Sequence, residues 1–151
     1  MRRRRIVAIA SGGGHWVQMR RLIPSFEGCD VVFVSTYKDY ADDVPGFGFR
    51  TVKDVTRRKL WNLALTVPQF ILIMLSERPD VVITTGSMPG MVGLAVARFT
   101  TRAKTLWIDS IANCEQLSSS GRQARRFAHR WLTQWEYLAG PEGPEYWGSV
   151  L

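Results

Sequence analysis

A histidine placed directly after a run of glycines is the strongest chemical feature of this sequence. His15 follows Gly12, Gly13 and Gly14, which in turn follow the apolar, β-branched segment Ile6–Ala10. Backbone N–H groups in such a turn, with the positive end of a following helix, suit a phosphate or diphosphate. Imidazole titrates near pH ~6.5, so a histidine here is a candidate general base. The alternative is a tight turn with a surface histidine and no phosphate.

Two other predicted strands also end in small polar residues. Gly86 and Ser87 follow one of them, and Asp109 and Ser110 follow the other. Ligands of open parallel sheets bind beyond the carboxyl ends of the strands. We therefore expect these groups to face one crevice together with Ser11 and the glycine turn. The glycine spacing differs from the dinucleotide pattern G-x-G-x-x-G, which argues against a nicotinamide cofactor.

Strands and helices alternate along the chain, which predicts a parallel sheet with helices on both faces. Short, continuous apolar runs are typical of strands buried on both sides. The predicted strands are Ile6–Ala10, Asp30–Thr36, a short Arg50–Lys53, Val81–Thr84 and Lys104–Ile108; the predicted helices are Trp16–Ile23, Leu60–Ser76, Met91–Phe99 and Arg122–Leu132. The fold class is α/β, a Rossmann-like open parallel sheet of about five or six strands.

Composition restricts the partners. A length of 151 residues suits a single domain and is short for a two-domain enzyme. A net charge of +7 favours nucleic acid, anionic lipid or a phosphorylated substrate as partner. No nucleic-acid-reading motif is present, so we expect no nucleic-acid partner. Two cysteines without metal-ligand spacing predict no metal site and suit a reducing, cytoplasmic compartment.

The segment Leu60–Ser76 carries no charged residue and is apolar nearly all round. Pro68 within it predicts a kink or a break. The segment is shorter than the roughly 20 apolar residues of a spanning helix, so we expect it not to cross a membrane. It is either a crossover helix packed on the sheet or an in-plane membrane anchor, and both roles can hold together. The predicted lipid contacts are Arg57, Arg58, Lys59, Trp61 and Phe70.

The predicted helix Arg122–Leu132 has an apolar face and a basic face, with Ser118 as its candidate N-cap. Such a basic face is usually solvated. The alternative is a seat for a lipid diphosphate, for headgroups or for an acidic partner. The basic residues are Arg122, Arg125, Arg126, His129 and Arg130.

The order of these motifs resembles the acceptor-side, membrane-associated subunits of split GT-B glycosyltransferases. The matching motifs are Ser11–His15 with Gln18-Met19, Arg78–Val82 leading to Thr85–Ser87, Trp107–Ser110, Leu117-Ser118 with Ser120–Arg122, Gln134-Trp135 and Tyr146–Leu151. The family usually has Glu before Ser at the position of Asp109, Arg near Asn113 and Lys at the position of Arg122. Its eukaryotic members, which act in the dolichol pathway, begin with a spanning helix. These departures favour a bacterial exopolysaccharide enzyme.

The resemblance implies that residues 1–151 are a single acceptor-binding domain, the N-terminal half of a GT-B fold, with no separate donor-binding domain. A partner chain then holds the UDP-sugar, which the two chains share. The implied reaction transfers GlcNAc, glucuronic acid or glucose to a polyprenyl-diphosphate-linked sugar, without a metal or other cofactor. The implied location is the cytoplasmic side of the bacterial inner membrane, as a peripheral or monotopic protein.

The same resemblance assigns roles to the site residues. His15 is the expected base, and Asp109 is the weaker candidate for that role or for orienting the base. The expected substrate-binding residues are Ser11, Gly12, Gly13, Gly14, Gly86, Ser87 and Ser110. A non-catalytic membrane scaffold that recruits a glycosyltransferase is the alternative function.

Overall fold

Seven parallel strands form one sheet in the computed structural model, which describes residues 2–150. The strands are β1 (Arg5–Ile9), β2 (Asp30–Ser35), β3 (Gly48–Thr51), β4 (Val81–Thr84), β5 (Lys104–Ile108), β6 (Arg130–Thr133) and β7 (Glu145–Tyr146). Their order across the sheet is β3-β2-β1-β4-β5-β6-β7, and every neighbouring pair is parallel. The Rossmann-like α/β prediction is confirmed, with a sheet larger than expected.

Helices cover both faces of this sheet, as predicted. They are α1 (Gly14–Arg21), α2 (Leu63–Glu77), α3 (Met88–Thr100) and α4 (Ser119–Ala124), with short 3-10 turns at Ile23–Phe26, Lys38–Asp43, Leu60–Asn62 and Glu136–Leu138. Successive side chains of a strand point to opposite faces. Val7 and Ile9 of β1 therefore join the core beneath α2 and α3, whereas Ile6 and Ala8 join the core with Trp16 of α1.

Helix α2 packs on the sheet as a crossover helix. Phe70, Ile73 and Met74 are buried in the core, and Pro68 lies inside the helix without ending it. A Cβ added at Gly93 of α3 would lie 2.9 Å from the Phe70 ring, so the two helices approach closely there. The prediction that Phe70 contacts lipid is wrong, because its ring fills the α2–α3 interface.

The segment containing α2 also meets the criteria for a membrane span by length and composition alone. Leu60–Glu77 comprises 18 residues with a mean hydropathy of 1.3, and 33% of it is buried within the fold. The core helix of a folded domain meets the same criteria. By length and composition the segment could cross a membrane, which differs from the expectation that no segment is long enough.

The predicted helix over residues 122–132 is wrong. Helix α4 ends at Ala124, and the chain re-enters the sheet as β6, with Leu132 paired to Ile108 of β5. Trp131 and Leu132 pack into cores on opposite faces of the sheet, which is the two-residue period of a strand. Pairing with β5 and these core contacts outweigh the helix-like spacing of the apolar residues. The basic residues that were predicted to share one helical face therefore do not form one surface. Ser118 does cap α4, because its Oγ accepts the Gly121 N–H at 2.8 Å.

Candidate functional site

A cavity of about 380 Å³ lies at the carboxyl ends of β1 to β4. Each of these four strands contributes the residues that follow it, and α4 contributes one more. The lining residues are Ser11, Gly12, Thr36, Tyr37, Asp54, Val55, Thr56, Arg57, Ser87, Met88, Pro89 and Ser120. Ser11, Gly12 and Ser87 of the predicted set are therefore gathered in one crevice, where ligands of parallel sheets bind.

His15, at the start of α1, is not among the residues that line this cavity, but its ring lies against Gly86, the residue before the cavity-lining Ser87. Its Nδ1 is 2.9 Å from the carbonyl oxygen of Thr85, and the Thr85 hydroxyl donates to the His15 carbonyl oxygen at 2.7 Å. A carbonyl oxygen only accepts hydrogen bonds, so Nδ1 carries a proton, and in the neutral imidazole the lone pair is therefore on Nε2. In this tautomer Nε2 is the atom that can accept a proton, as a general base must.

Gly86 provides the space for this imidazole. A Cβ at this position would lie 2.8 Å from Cε1 and Nδ1 of His15, and the backbone φ of Gly86 is +120°. The next residue, Ser87, also has a positive φ of 75° and precedes α3. This strained turn therefore brings the β4 terminus against His15 and directs Ser87 to the cavity.

The glycine turn is partly covered by aromatic side chains. The Gly13 N–H donates to the Tyr40 hydroxyl at 3.2 Å, and Tyr40 stacks on Trp16 with ring centroids 4.8 Å apart. Tyr37 lies so close to Gly12 that an added Cβ would be 2.4 Å from its ring. One predicted phosphate-binding N–H is therefore already engaged, and Gly12 is the glycine of this turn that lines the cavity.

Asp109 lies in the interior, with only 1% of its surface exposed. Its carboxylate accepts hydrogen bonds from the Ser118 hydroxyl at 2.6 Å and from the Ser118 N–H at 2.9 Å. Trp107 Nε1 and Asn113 Nδ2 also donate to it, at 3.1 and 3.2 Å. Because these donors occupy the carboxylate, the geometry favours a structural role for Asp109, in positioning the α4 N-terminus, over a role as base.

Ser110 belongs to a buried amide network. Gln18 Nε2 donates to its hydroxyl at 3.0 Å, and the Gln18 Oε1 accepts from Gln134 Nε2 at 2.6 Å. Gln134 also accepts the Val150 N–H at 2.7 Å, which ties the C-terminal tail to the domain. Ser110 does not line the cavity in this arrangement, so its predicted contact with acceptor is not part of the observed geometry.

The predicted lipid-contacting residues separate into three environments. Trp61 is 71% exposed, and Arg58 and Lys59 are also exposed. Arg57 is exposed as well, but it also lines the cavity and donates to the Ser119 hydroxyl. Phe70 is buried, as described above.

The resolved pKa shifts occur away from this site. The backbone N–H of Arg5 stabilises the Asp80 carboxylate and lowers its pKa, against a partial cost of desolvation. Desolvation, followed by the charges of Arg98 and Lys104, lowers the pKa of His129. Within residues 2–150 there is no group of three His, Cys, Asp or Glu side chains placed to bind a metal ion.

Sequence reasoning missed two contributors. Thr85 orients His15, and its position directly after a strand was the available signal. Arg57 was grouped with its basic neighbours, and nothing local separates it from Arg58 and Lys59, because only the tertiary structure brings Ser119 beside it.

No protein-family model and no curated protein sequence matches the chain. Solved structures do match. MurG of Acinetobacter baumannii superposes with a TM-score of 0.77 at 13% identity, over 95% of this chain and 45% of that one. A UDP-N-acetylglucosamine 2-epimerase from Listeria monocytogenes, named as putative, gives 0.66 at 10% identity, over 89% and 40%. A glycosyltransferase from Rickettsia africae gives 0.60 at 12% identity, over 82% and 33%.

This chain spans less than half the length of each of these proteins. At such low identity the likeness establishes the fold alone. The chain has the Rossmann-like fold that is found in GT-B proteins.

Proposed function

We propose that this chain is the acceptor-binding and membrane-docking subunit of a two-component inverting glycosyltransferase. A second chain binds the UDP-sugar, and the acceptor is a polyprenyl-diphosphate-linked sugar of bacterial exopolysaccharide biosynthesis. The observation that carries the proposal is the His15–Thr85 hydrogen bond, which in the neutral imidazole leaves the lone pair on Nε2. The ring lies against Gly86, the residue before the cavity-lining Ser87. Such a group suits removal of a proton from an acceptor hydroxyl.

The proposed step is a single displacement. The acceptor hydroxyl oxygen forms a bond to the anomeric carbon of the donor sugar while the bond from that carbon to the UDP oxygen breaks. His15 Nε2 takes the hydroxyl proton, and UDP leaves with the electron pair. The configuration at the anomeric carbon inverts, because attack and departure occur on opposite sides.

The cavity has the groups needed for a polar acceptor head. Ser11, Ser87 and Thr36 bring hydroxyls, Gly12 brings backbone without a side chain, and Arg57 brings a positive charge. The Ser87 and Thr36 side chains line the cavity, while their hydroxyl oxygens are buried and have no hydrogen-bond partner among the described residues.

The partner chain is part of the proposal. The matches cover most of this chain and less than half of the neighbouring proteins. In the proposed complex the donor-binding half is a separate polypeptide, and the transfer occurs between the two.

Membrane docking is supported by the outward face of α2. Leu65, Leu72 and Leu75 are exposed along this helix, and Trp61 is exposed just before it. The described helix has 15 residues, which corresponds to about 22 Å. An apolar face of this length suits a helix lying in the plane of the lipid interface.

Cationic residues lie at both ends of this face. Arg58 and Lys59 precede the helix, while Arg3 and Arg78 line a depression beside Ser76 at its other end. Anionic headgroups attract such residues by about 1 kcal/mol each near the surface. We propose that α2 lies flat on the cytoplasmic surface of the inner membrane, with its inner face still packed on the sheet.

The test is reconstitution with a donor-binding glycosyltransferase chain from the same organism. Glycosyl transfer from UDP-sugars to a polyprenyl-diphosphate acceptor is measured for each chain alone and for the pair, with His15→Gln in the complex. We expect turnover only from the pair, and a loss of about 10²- to 10⁴-fold with His15→Gln. His129→Gln is the matched control and should retain activity.

Two results would contradict the proposal. Full activity of the partner alone would favour a scaffold that merely recruits the enzyme. Unchanged transfer with His15→Gln would remove the base assignment.

A further inference from the structure

An apolar groove lies on the face of the sheet that α2 and α3 cover. This groove has a volume of about 470 Å³ and runs between α2, α3 and the segment that follows α4. Its apolar lining includes Leu63, Val67 and Ile71 of α2, Met91 and Ala95 of α3, and Phe127. Leu63 to Ile71 spans about 12 Å along the helix axis.

The same three segments line both depressions. Helix α3 contributes Met88 to the cavity and Met91 to the groove, and α4 contributes Ser120 to the cavity and Gln123 to the groove. Residues three apart in a helix lie on the same side, one turn along. Arg57, before α2, lines the cavity, and Leu63, the first residue of α2, lines the groove. In α3 and α4 the residues of the polar site and of the apolar groove are thus one helical turn apart.

Charge and polarity are divided along this path. Arg57 is the cation among the cavity-lining residues, and it lies at the wall shared with α4, where it donates to Ser119. Asp54 is also part of that wall, where it can accept a hydrogen bond from a sugar hydroxyl. An arginine guanidinium binds phosphate oxygens through charge-assisted hydrogen bonds.

We infer that one amphiphile occupies both depressions: a prenyl diphosphate whose diphosphate contacts Arg57 and whose first isoprenoid units lie in the groove between α2 and α3. This inference rests on the proposed acceptor class and adds the path of its lipid chain. It also assigns Arg57 to ligand binding and not to the membrane surface.

The inferred occupant is a chain tethered to a phosphate because the groove-lining residues of α3 and α4 lie one helical turn from the cavity-lining residues of the same helices. The exposed leucines of α2, Leu65 and Leu72, lie on a different face of the helix from Val67 and Ile71. The bilayer-facing surface and the groove are therefore separate, and a chain can enter the groove while the outer face remains on lipid.

The test is calorimetric binding of soluble probes to the full chain without membranes. The probes are inorganic pyrophosphate, geranyl diphosphate and farnesyl diphosphate, each below its micelle concentration. We expect affinity to rise by about tenfold from pyrophosphate to geranyl diphosphate and again to farnesyl diphosphate, as more apolar carbon is buried.

Two pairs of variants separate head from chain. Arg57→Gln should weaken all three probes by about 10- to 100-fold, whereas Arg58→Gln should leave them unchanged. Ala95→Phe fills the groove and should abolish the gain from the prenyl chain while pyrophosphate binding persists. Ala64→Phe, on the exposed face of α2, is its control. Met91→Gln, which keeps the volume but adds an amide, serves if Ala95→Phe fails to fold.

Equal affinity for pyrophosphate and farnesyl diphosphate would overturn the groove assignment. Equal losses in Arg57→Gln and Arg58→Gln would overturn the assignment of Arg57. These binding results are independent of turnover: a chain that binds as expected but supports no transfer with its partner contradicts the proposed function and not this inference. Conversely, if the pair transfers sugar but the affinity of the probes does not depend on prenyl chain length, the proposed function stands and this inference is contradicted.

Discussion

His15 and Thr85 are joined by two reciprocal hydrogen bonds, each between a side chain and a backbone carbonyl, although the residues are 70 positions apart. His15 Nδ1 lies 2.9 Å from the Thr85 carbonyl oxygen, and Thr85 Oγ1 donates to the His15 carbonyl oxygen at 2.7 Å. The pair connects the first turn of α1 to the residue after β4, the middle strand of the sheet. The position of the candidate base is thus set by a contact with the end of that strand.

Substitution of Gly86 tests whether this placement matters. In Gly86→Ala the added Cβ would meet the His15 ring at 2.8 Å, so we expect the imidazole to shift and transfer by the pair to fall by at least ~10²-fold. Gly46→Ala is the matched control, because Gly46 has a φ of +84° with no atom within 4 Å of the added Cβ. Both variants should lose about 1–2 kcal/mol of stability from backbone strain. Equal activities of the two would refute the role of Gly86.

Asp109→Asn distinguishes a structural carboxylate from a base. We expect the free energy of unfolding to fall by about 1–3 kcal/mol, because an amide cannot accept all the hydrogen bonds that Ser118, Trp107 and Asn113 donate. Urea denaturation measures this loss, with Asp39→Asn on the surface as control. The folded fraction should still support transfer. A variant of unchanged stability that supports no transfer would restore Asp109 as a base candidate.

The outward face of α2 is tested by vesicle binding. Leu65→Ser and Leu72→Ser should each weaken partition onto vesicles containing phosphatidylglycerol by about tenfold, because each leucine contributes apolar area. Val17→Ser is the control, since Val17 is exposed on α1, which covers the opposite face of the sheet. Cosedimentation gives the partition coefficients. Comparable losses in the α1 and α2 variants would contradict docking through α2.

His129 should make stability depend on pH in the mildly acidic range. Its pKa is lowered in the folded state by desolvation and by Arg98 and Lys104, so the unfolded chain binds the proton more readily. Stability is therefore present above the unfolded pKa of about 6.5 and is lost as pH falls below it. The Thr105 N–H donates to Nδ1 at 3.0 Å, a bond that a proton on Nδ1 would break.

Thermal melting between pH 7 and pH 5 measures this effect. We expect the melting temperature to fall with pH in the native chain and to fall less in His129→Gln. Asp80, whose pKa is lowered, stays ionised throughout this range and does not contribute. An identical slope in both proteins would show that His129 is not the group responsible.

Local sequence determined much of the sheet and the polar strand ends. The apolar runs in β1, β2, β4 and β5 are short and continuous, and such runs are typical of strands that are buried on both faces of a sheet. The glycines after β1 and the Gly86-Ser87 pair after β4 were recognisable because turns of this kind need residues that tolerate unusual backbone angles. Parallel pairing then brought Ser11, Gly12 and Ser87 to one crevice.

Tertiary contacts decided the rest. Apolar periodicity indicates that Phe70 or Trp131 is buried, but it does not identify the surface that covers it, and both predictions built on these side chains were wrong. The burial of Asp109, the separation of Arg57 from Arg58 and the Thr85 contact of His15 all depend on residues distant in sequence. Side-chain roles of this kind arise from packing and hydrogen bonding between distant segments, and those energies exceed the local preferences that a sequence pattern reveals.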